Sequence, residues 1–246
     1  SITNVVSPVL TYLDRFMIGS MISVAAVAYY TAPYEMVMRV SILPTSMTMA
    51  LFPSFSSVGI ASRDSLRGLY TRSVKLLLLL MVPLVIVLIL FADEILHLWL
   101  GREFPEISTV VLKILAAGVL MSALAQVPYA LIQGLGYPDM TAKFHVLELV
   151  LYVPLVWFLV NNMGIAGGAL AWTIRVTLDA VLLYAGSARL MNLRFLIGDG
   201  FKFAGMALLL LMCLVVGLLL FDAGIVVKVI LTPAMLFVFV LTSWRF

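Results

Sequence analysis

Apolar residues occur along this chain in long runs that are separated by short polar connections. A membrane-spanning helix needs about 20 consecutive, mostly apolar residues, and runs near this length predict about eight such helices. Their predicted bounds are 4–22, 27–55, 76–92, 107–133, 144–161, 165–187, 203–221 and 225–243. The pattern therefore predicts an all-α polytopic membrane protein.

The composition supports this class. Hydrophobic residues make up 64% of the 246 residues and charged residues 11%, and the mean hydropathy is +1.18. A soluble domain is about 45–50% apolar and about 25% charged. The net charge of +3 indicates basic cytoplasmic loops rather than nucleic-acid binding. The single cysteine, Cys213, predicts neither an intrachain disulfide nor a thiolate metal cluster.

The basic residues mark one side of the membrane. If the helices alternate, one set of connections carries Arg63, Arg67, Arg72, Lys75, Lys143, Arg189, Arg194, Lys202 and Arg245. The opposite set carries Asp93, Glu94, Glu103, Glu106 and Asp222. The positive-inside rule then places the residue-1 end in the cytoplasm, with His97 and Trp99 at the outer interface.

Charge also suggests a division of the chain. All charges at membrane depth lie in the first six predicted helices, so we expect residues 1–197 to form one six-helix unit and residues 198–246 to add two trailing helices. The break is expected near 198–200. The chain has no initiator Met and starts close to a membrane segment, which we interpret as a fragment that lacks an N-terminal half.

The first hairpin contains four charged residues: Asp14, Arg15, Glu35 and Arg39. A charge at the bilayer centre costs about 2.5–3.5 kcal/mol on insertion scales, whereas a central Leu returns only about 0.3–0.6 kcal/mol. Charges that are kept at this cost usually face a partner or a water-filled cavity. We therefore expect this hairpin to line a transport cavity.

Spacing leaves two interpretations of the charges. Glu35 and Arg39 are four residues apart, as are Arg175 and Asp179, so each pair shares a helix face. Each could be a self-neutralised pair, or its arginine could exchange the carboxylate for an anionic substrate group. Arg15 has no mate at this spacing and lies about 15 Å into the membrane, which makes it the better ligand candidate.

Arginine suits a lipid diphosphate, because guanidinium stays charged and binds phosphate oxygens bidentately. Arg15, Arg39 and Arg175 are therefore the predicted substrate (diphosphate) site, in a cationic chamber. We expect the nearby carboxylates to couple transport to an ion, since buried carboxyls can exchange protons or hold Na⁺. These residues are Asp14, Glu35, Glu148 and Asp179.

Other features are less specific. Glu148 follows His145 by three residues, so the two could form a pair, or both could lie near the cytoplasmic interface. Tyr29, Tyr30 and Tyr34 could stack on sugar rings or belong to an interfacial belt. No catalytic triad, metal-ligand spacing or phosphate-binding loop is recognisable, so we expect no enzymatic activity, no metal site and no cofactor.

Several motifs occur in a fixed order: DRFMIG (14–19), VAYYTA (27–32), ALFPSFS (50–56), FADEILHLWLG (91–101), AQVPYALIQGLGYPD (125–139) and GIAGGALAW (164–172). Together they resemble the second lobe of the polysaccharide-repeat (O-antigen type) flippases. Those flippases belong to the multidrug/oligosaccharidyl-lipid/polysaccharide exporter superfamily. The resemblance spans about residues 8–190.

This resemblance implies two lobes of six helices each, of which the chain supplies the C-terminal lobe and two trailing helices. It implies flipping of undecaprenyl-diphosphate-linked oligosaccharide across the bacterial cytoplasmic membrane by alternating access, for cell-surface polysaccharide synthesis. The implied partners are the lipid-linked substrate, membrane lipids, the N-terminal lobe and a polysaccharide polymerase complex.

Three alternatives stay open. A multidrug or cation antiporter of the same superfamily would want acidic lining, and Arg15 weighs against it. An enzyme acting on polyprenyl lipids would need an acidic cluster, for which only Asp93, Glu94, Glu103 and Glu106 are available, and a solvated loop explains them better. A non-transporting membrane scaffold would tolerate loss of the three arginines.

Overall fold

The computed structural model describes residues 2–61, 63–101 and 105–191, together with Pro233. These residues form seven helices and no strand: α1 (Ile2–Met21), α2 (Val24–Val40), α3 (Ile42–Ala61), α4 (Arg63–Leu90), α5 (Ala92–Leu100), α6 (Glu106–Gly134) and α7 (Pro138–Leu190). The predicted helices at 203–221 and 225–243 and the predicted boundary near 198–200 lie outside the described residues, as does Cys213.

Four helical stretches among the described residues are long and apolar enough to cross a membrane: Val24–Ser57, Asp64–Leu90, Glu106–Gly134 and Pro138–Leu190. The last is 53 residues long, far more than the roughly 20 that one crossing needs. The chain is therefore a multi-pass, all-helical membrane protein over the part described. The shorter α1, which carries Asp14 and Arg15, corresponds to the first predicted helix.

The second predicted helix, 27–55, is divided into α2 and α3 at Ser41. The Ser23 side chain caps the start of α2 by accepting a hydrogen bond of 3.1 Å from the Ala26 backbone N–H. Three residues past the division, Pro44 has no N–H to donate to the Val40 carbonyl. The missing hydrogen bond weakens the helix close to the division.

The predicted connections at both ends of α4 are helical. Residues 63–75, expected to form a basic loop, are instead the first turns of α4. Asp64 lies in the first turn, where its negative charge interacts favourably with the helix dipole. The first eight residues of the predicted outer connection of 93–106, residues 93–100, belong to helix α5. The sequence did not predict the helical start of α4 or helix α5, because the polar end of a helix has the same composition as a loop.

The fifth and sixth predicted helices are the two legs of α7, which bends at Gly164. Its φ of +60° and ψ of −136° are readily adopted only by glycine. A Cβ at Gly167 would lie 2.0 Å from the Leu159 carbonyl oxygen, so the backbones of the two legs approach each other closely. The small residues of the GIAGGALAW motif thus make the tight helical hairpin, as expected for membrane helices.

Helix α6 is the centre of the fold, since it packs against α2, α3, α4, α5 and α7. Its buried positions include Leu112, Leu115 and Leu131, all fully inaccessible. A Cβ at Gly118 would lie 2.5 Å from the Trp172 ring, so this glycine lets the second leg of α7 approach α6. Helix α1 packs against α2 and α7, which brings the charged residues of these three helices together.

Candidate functional site

Asp14 anchors the charged cluster between α1 and α2. Its side chain is fully buried, and both oxygens are hydrogen-bonded. The Tyr30 hydroxyl donates to Asp14 Oδ2, and the Arg15 backbone N–H donates to Oδ1 over 2.8 Å. A buried polar group needs such partners to offset the loss of water, so Asp14 has a defined structural position on α1.

Arg15 lies beside this anchor and is held mainly by aromatic rings. Its guanidinium carbon lies 4.2 Å from the centroid of the Tyr34 ring and 5.4 Å from that of Tyr12, distances typical of cation–π contacts. Arg15 Nη2 is also 3.6 Å from Glu35 Oε1. The Arg15 side chain is 15% exposed, whereas that of Glu35 is 55% exposed, so the pair lies at the edge of the protein.

A second pair joins the two legs of α7. Arg175 Nη1 donates to Glu148 Oε2 over 3.4 Å, and the guanidinium carbon is 5.4 Å from the centroid of the Tyr152 ring. The Arg175 side chain is 15% exposed and that of Glu148 is 0% exposed. Glu148 is ten residues after Pro138, or about 15 Å into the helix, and its burial argues against the interfacial alternative.

The partners are not the ones that sequence spacing suggested. Glu35 reaches Arg15 on α1 rather than forming only a local pair with Arg39, and Arg175 reaches Glu148 across the α7 hairpin. Both contacts therefore hold different helical segments together. Arg39 lies elsewhere, with its guanidinium carbon 5.7 Å from the centroid of the Trp99 ring on α5.

Carboxyl groups lie beside the arginines of the cluster in the part of the chain described. The charges of Arg15 and Arg175 both act on Asp14, so the two pairs form one electrostatic unit. The same unit contains four carboxyl groups: Asp14, Glu35, Glu148 and Asp179. Burying ionised carboxyl groups such as Asp14 and Glu148 is costly, which favours protons or cations as counter-charges.

Neither of the two interpretations left open by the sequence fits the burial of Tyr30 and Tyr34. Tyr30 and Tyr34 are 0% and 6% exposed, so they neither form an outer belt nor stand free to stack on a sugar. They lie four residues apart on the buried face of α2 and hold Asp14 and Arg15. Tyr152 likewise follows Glu148 by four residues. This helical spacing is the sequence signal that could have predicted tyrosines supporting the charged residues.

Comparisons with known proteins identify related sequences. Residues 1–109 match the family described as "Polysaccharide biosynthesis protein". The chain is 35% identical over 183 residues to a "Putative O-antigen transporter" of Shigella flexneri, covering 74% of this chain and 43% of that protein. The chain is thus similar to proteins described as a polysaccharide biosynthesis protein, an O-antigen transporter and a glycan biosynthesis flippase.

More distant relatives are archaeal. The chain is 26% identical over 173 residues to a "Probable low-salt glycan biosynthesis flippase" of Haloferax volcanii, covering 70% of this chain and 36% of that protein. It is 24% identical over 175 residues to a "Probable flippase" of the same organism, covering 70% and 37%. The chain thus spans less than half the length of the relatives that it matches.

Proposed function

We propose that the whole protein moves a lipid-linked oligosaccharide across the bacterial cytoplasmic membrane by alternating access. In this proposal residues 1–197 are the C-terminal lobe, residues 198–246 add two helices, and the residue-1 end is cytoplasmic. The remaining lobe supplies the facing half of the cavity. The names of the matched relatives support a transporter or flippase rather than an enzyme that acts on polyprenyl lipids.

The observation that carries the proposal is the way in which Arg15 is held. Two aromatic rings fix its guanidinium, while its acidic partner is more than half exposed and 3.6 Å away. An exposed ion pair contributes only about 0–1 kcal/mol. A diphosphate could therefore replace Glu35 at little cost and bind the guanidinium bidentately, while the tyrosines keep Arg15 in place.

The other two arginines have different surroundings. Arg39 is exposed and stacks on Trp99, so its positive charge can attract the same headgroup as the headgroup enters or leaves the site. Arg175 is paired with a buried carboxylate, so it contributes to substrate binding mainly through its field. In the proposal Arg15 is the first ligand of the diphosphate, and Arg39 and Arg175 assist it.

The carboxyl groups provide the coupling function. Asp14, Glu148 and Asp179 lie in one electrostatic unit with Arg175, so binding of an anion near Arg15 changes the field that each of them experiences. Glu35 becomes free when the substrate displaces it. We assign ion coupling to these four residues, because their compensating cation must change when the anionic substrate arrives or leaves.

The test uses the full-length protein in a strain that lacks its own flippase. Arg15 is replaced by Ala and by Lys, and surface polysaccharide is measured at matched membrane levels of protein. Arg72, an exposed residue of α4, is replaced by Ala as the control. The proposal expects loss of export with Arg15→Ala, partial export with Arg15→Lys and normal export with Arg72→Ala.

Normal export by Arg15→Ala would contradict the assignment of Arg15. If Arg39→Ala and Arg175→Ala also export normally, the transport proposal gives way to the scaffold alternative. Transport of small organic cations by membrane vesicles, without any change in surface polysaccharide, would instead support the antiporter alternative.

A further inference from the structure

Three side chains with metal-ligating atoms meet inside the α7 hairpin. His145 and Glu148 are three residues apart on the first leg, so they share a helix face, and Asp179 lies opposite on the second leg. One ligand atom from each residue lies within 4.8 Å of the other two. Sequence spacing predicted no metal site because the third residue is 31 positions from Glu148.

The polar atoms of this group are poorly satisfied by protein. His145 Nδ1, Glu148 Oε1 and Asp179 Oδ1 are buried and have no hydrogen-bond partner among the described residues. The Glu148 side chain is completely inaccessible. Arg175 occupies the other oxygen of Glu148, so Oε1 remains directed at the group. Unsatisfied buried polar atoms of this kind require an explanation such as a bound ion.

Charge points to a cationic occupant. Two carboxylates and one guanidinium leave an excess negative charge if both acids are ionised, and burying it without compensation is costly. The two carboxyl groups are close enough to share a proton, which is one way to remove the excess. A metal ion is the other way, and it would also satisfy the histidine nitrogen.

The ligand types select the class of metal. Imidazole nitrogen with carboxylate oxygens suits Zn²⁺ and similar first-row ions, whereas Ca²⁺ and Mg²⁺ favour all-oxygen sites. Tetrahedral Zn²⁺ with ligand bonds of about 2.0–2.2 Å needs ligand atoms roughly 3.4 Å apart. Because the ligand atoms lie within 4.8 Å of one another, they would have to approach by up to about 1.4 Å to bind one ion.

We propose that His145, Glu148 and Asp179 bind a divalent transition-metal ion of the Zn²⁺ type, with the fourth position open to water. Such an ion links the two legs of α7 beside Arg175, so it stabilises one arrangement of the hairpin. The proposal does not depend on the transported substrate and can fail while the proposed function stands.

The test measures binding of Co²⁺ to the purified 246-residue chain, produced with an affinity tag that contains no histidine. Tetrahedral Co²⁺ absorbs visible light much more strongly than the octahedral aqueous ion, so site occupancy is read directly from the spectrum. We expect one saturable site, displaced by Zn²⁺ and insensitive to an excess of Na⁺. His145→Asn should weaken binding more than about 10-fold, as loss of a supporting partner alone does in known sites.

The chain has two histidines, which provides a matched control. His97→Asn should leave Co²⁺ binding unchanged, although His97 lies 3.3 Å from Asp93 and shares the same residue types. His145→Cys, made in a Cys213→Ser background, should keep binding and add thiolate-to-cobalt absorption in the near-ultraviolet. This gain of signal guards against variants that only misfold.

Three results would overturn the proposal: no saturable binding by the unaltered chain, unchanged binding by His145→Asn, or displacement of Co²⁺ by Na⁺. The absence of saturable binding would mean that the two carboxyl groups share a proton and bind no metal ion. Because export is not the readout, none of these results bears on the role of Arg15 in flipping.

Discussion

The two arginine pairs of this protein look alike by one measure and differ by another. Arg15 and Arg175 are each 15% exposed, but their carboxylate partners are 55% exposed for Glu35 and 0% exposed for Glu148. Each arginine also lies over tyrosine rings. The difference is therefore in what surrounds the acid, not in how the base is held.

This difference separates two roles. A carboxylate that is more than half exposed, such as Glu35, can leave its arginine without being stranded, so in the proposed function the pair around Arg15 opens for an anion. A fully buried carboxylate has no water to return to, and breaking its ion pair leaves an uncompensated charge. Under the proposed function, we therefore expect the pair between Arg175 and Glu148 to stay closed within α7 and the pair between Arg15 and Glu35 to exchange.

The largest predicted effect comes from breaking the buried bridge. Glu148→Ala removes the hydrogen-bonded partner of Arg175 and leaves Asp179 to balance its charge, so the free energy of unfolding should fall by about 3 kcal/mol, the upper end of the penalty for an unsatisfied buried group. Glu35→Ala, the matched change at the exposed pair, should cost no more than about 1 kcal/mol. Denaturant unfolding of the purified proteins in one detergent provides the comparison, and equal losses would refute the distinction.

A double variant distinguishes two explanations of this loss of stability. Either the pair of Arg175 and Glu148 stabilises the protein, or the loss comes from leaving one member of the pair without the other. Replacing Glu148 by Leu and Arg175 by Met should recover most of the stability lost in Glu148→Ala, since apolar replacement of a whole buried pair is often neutral or stabilising. The full-length double variant should still fail to export polysaccharide. Normal export by it would remove both residues from the transport site.

The next effect concerns the anchor on α1. Tyr30→Phe deletes the hydroxyl that donates to Asp14 and should cost about 1–3 kcal/mol, the usual penalty for leaving a buried acceptor unsatisfied. Thermal unfolding at matched detergent concentration measures it. Tyr137→Phe, at an exposed position, is the control, and a cost equal to that of Tyr30→Phe would indicate that the lost hydroxyl bond to Asp14 is not the cause.

A smaller effect is expected at the ring under Arg15. Tyr34→Leu removes a cation–π contact that is worth about 0.5–2 kcal/mol and should reduce export, because Arg15 is then less well positioned. Tyr34→Phe keeps the ring and should retain most of the export. If both variants export alike, the aromatic support of Arg15 is not what positions it.

The helices were largely predictable because their cause is local. An apolar run of membrane length forms a helix wherever it occurs, so the ranges 107–133, 144–161 and 165–187 agree with α6 and the two legs of α7. The division at Ser41 and the helical start of α4 were missed. The division lies near a proline, and the start of α4 is polar. The length of an apolar run predicts neither feature.

The charged site was only half predictable. Sequence identified Arg15, Glu35, Arg175 and Glu148 because charges in apolar runs stand out. It did not give their pairing, since Arg15 meets Glu35 and Arg175 meets Glu148 between different helical segments. Spacing along one helix does not predict contacts between helices. The number of carboxyl groups around each arginine also depends on how the helices pack together.

The central claim is that Arg15 exchanges Glu35 for an anionic headgroup while Arg175 keeps Glu148. The most direct test is binding of a short-chain polyprenyl diphosphate to the full-length protein in nanodiscs, comparing Glu35→Gln with Glu148→Gln. Removing the competing charge at position 35 should tighten binding severalfold, up to about 10-fold for the roughly 1 kcal/mol of an exposed pair, and Arg15→Gln should abolish the gain. Tighter binding with Glu148→Gln and none with Glu35→Gln would contradict it.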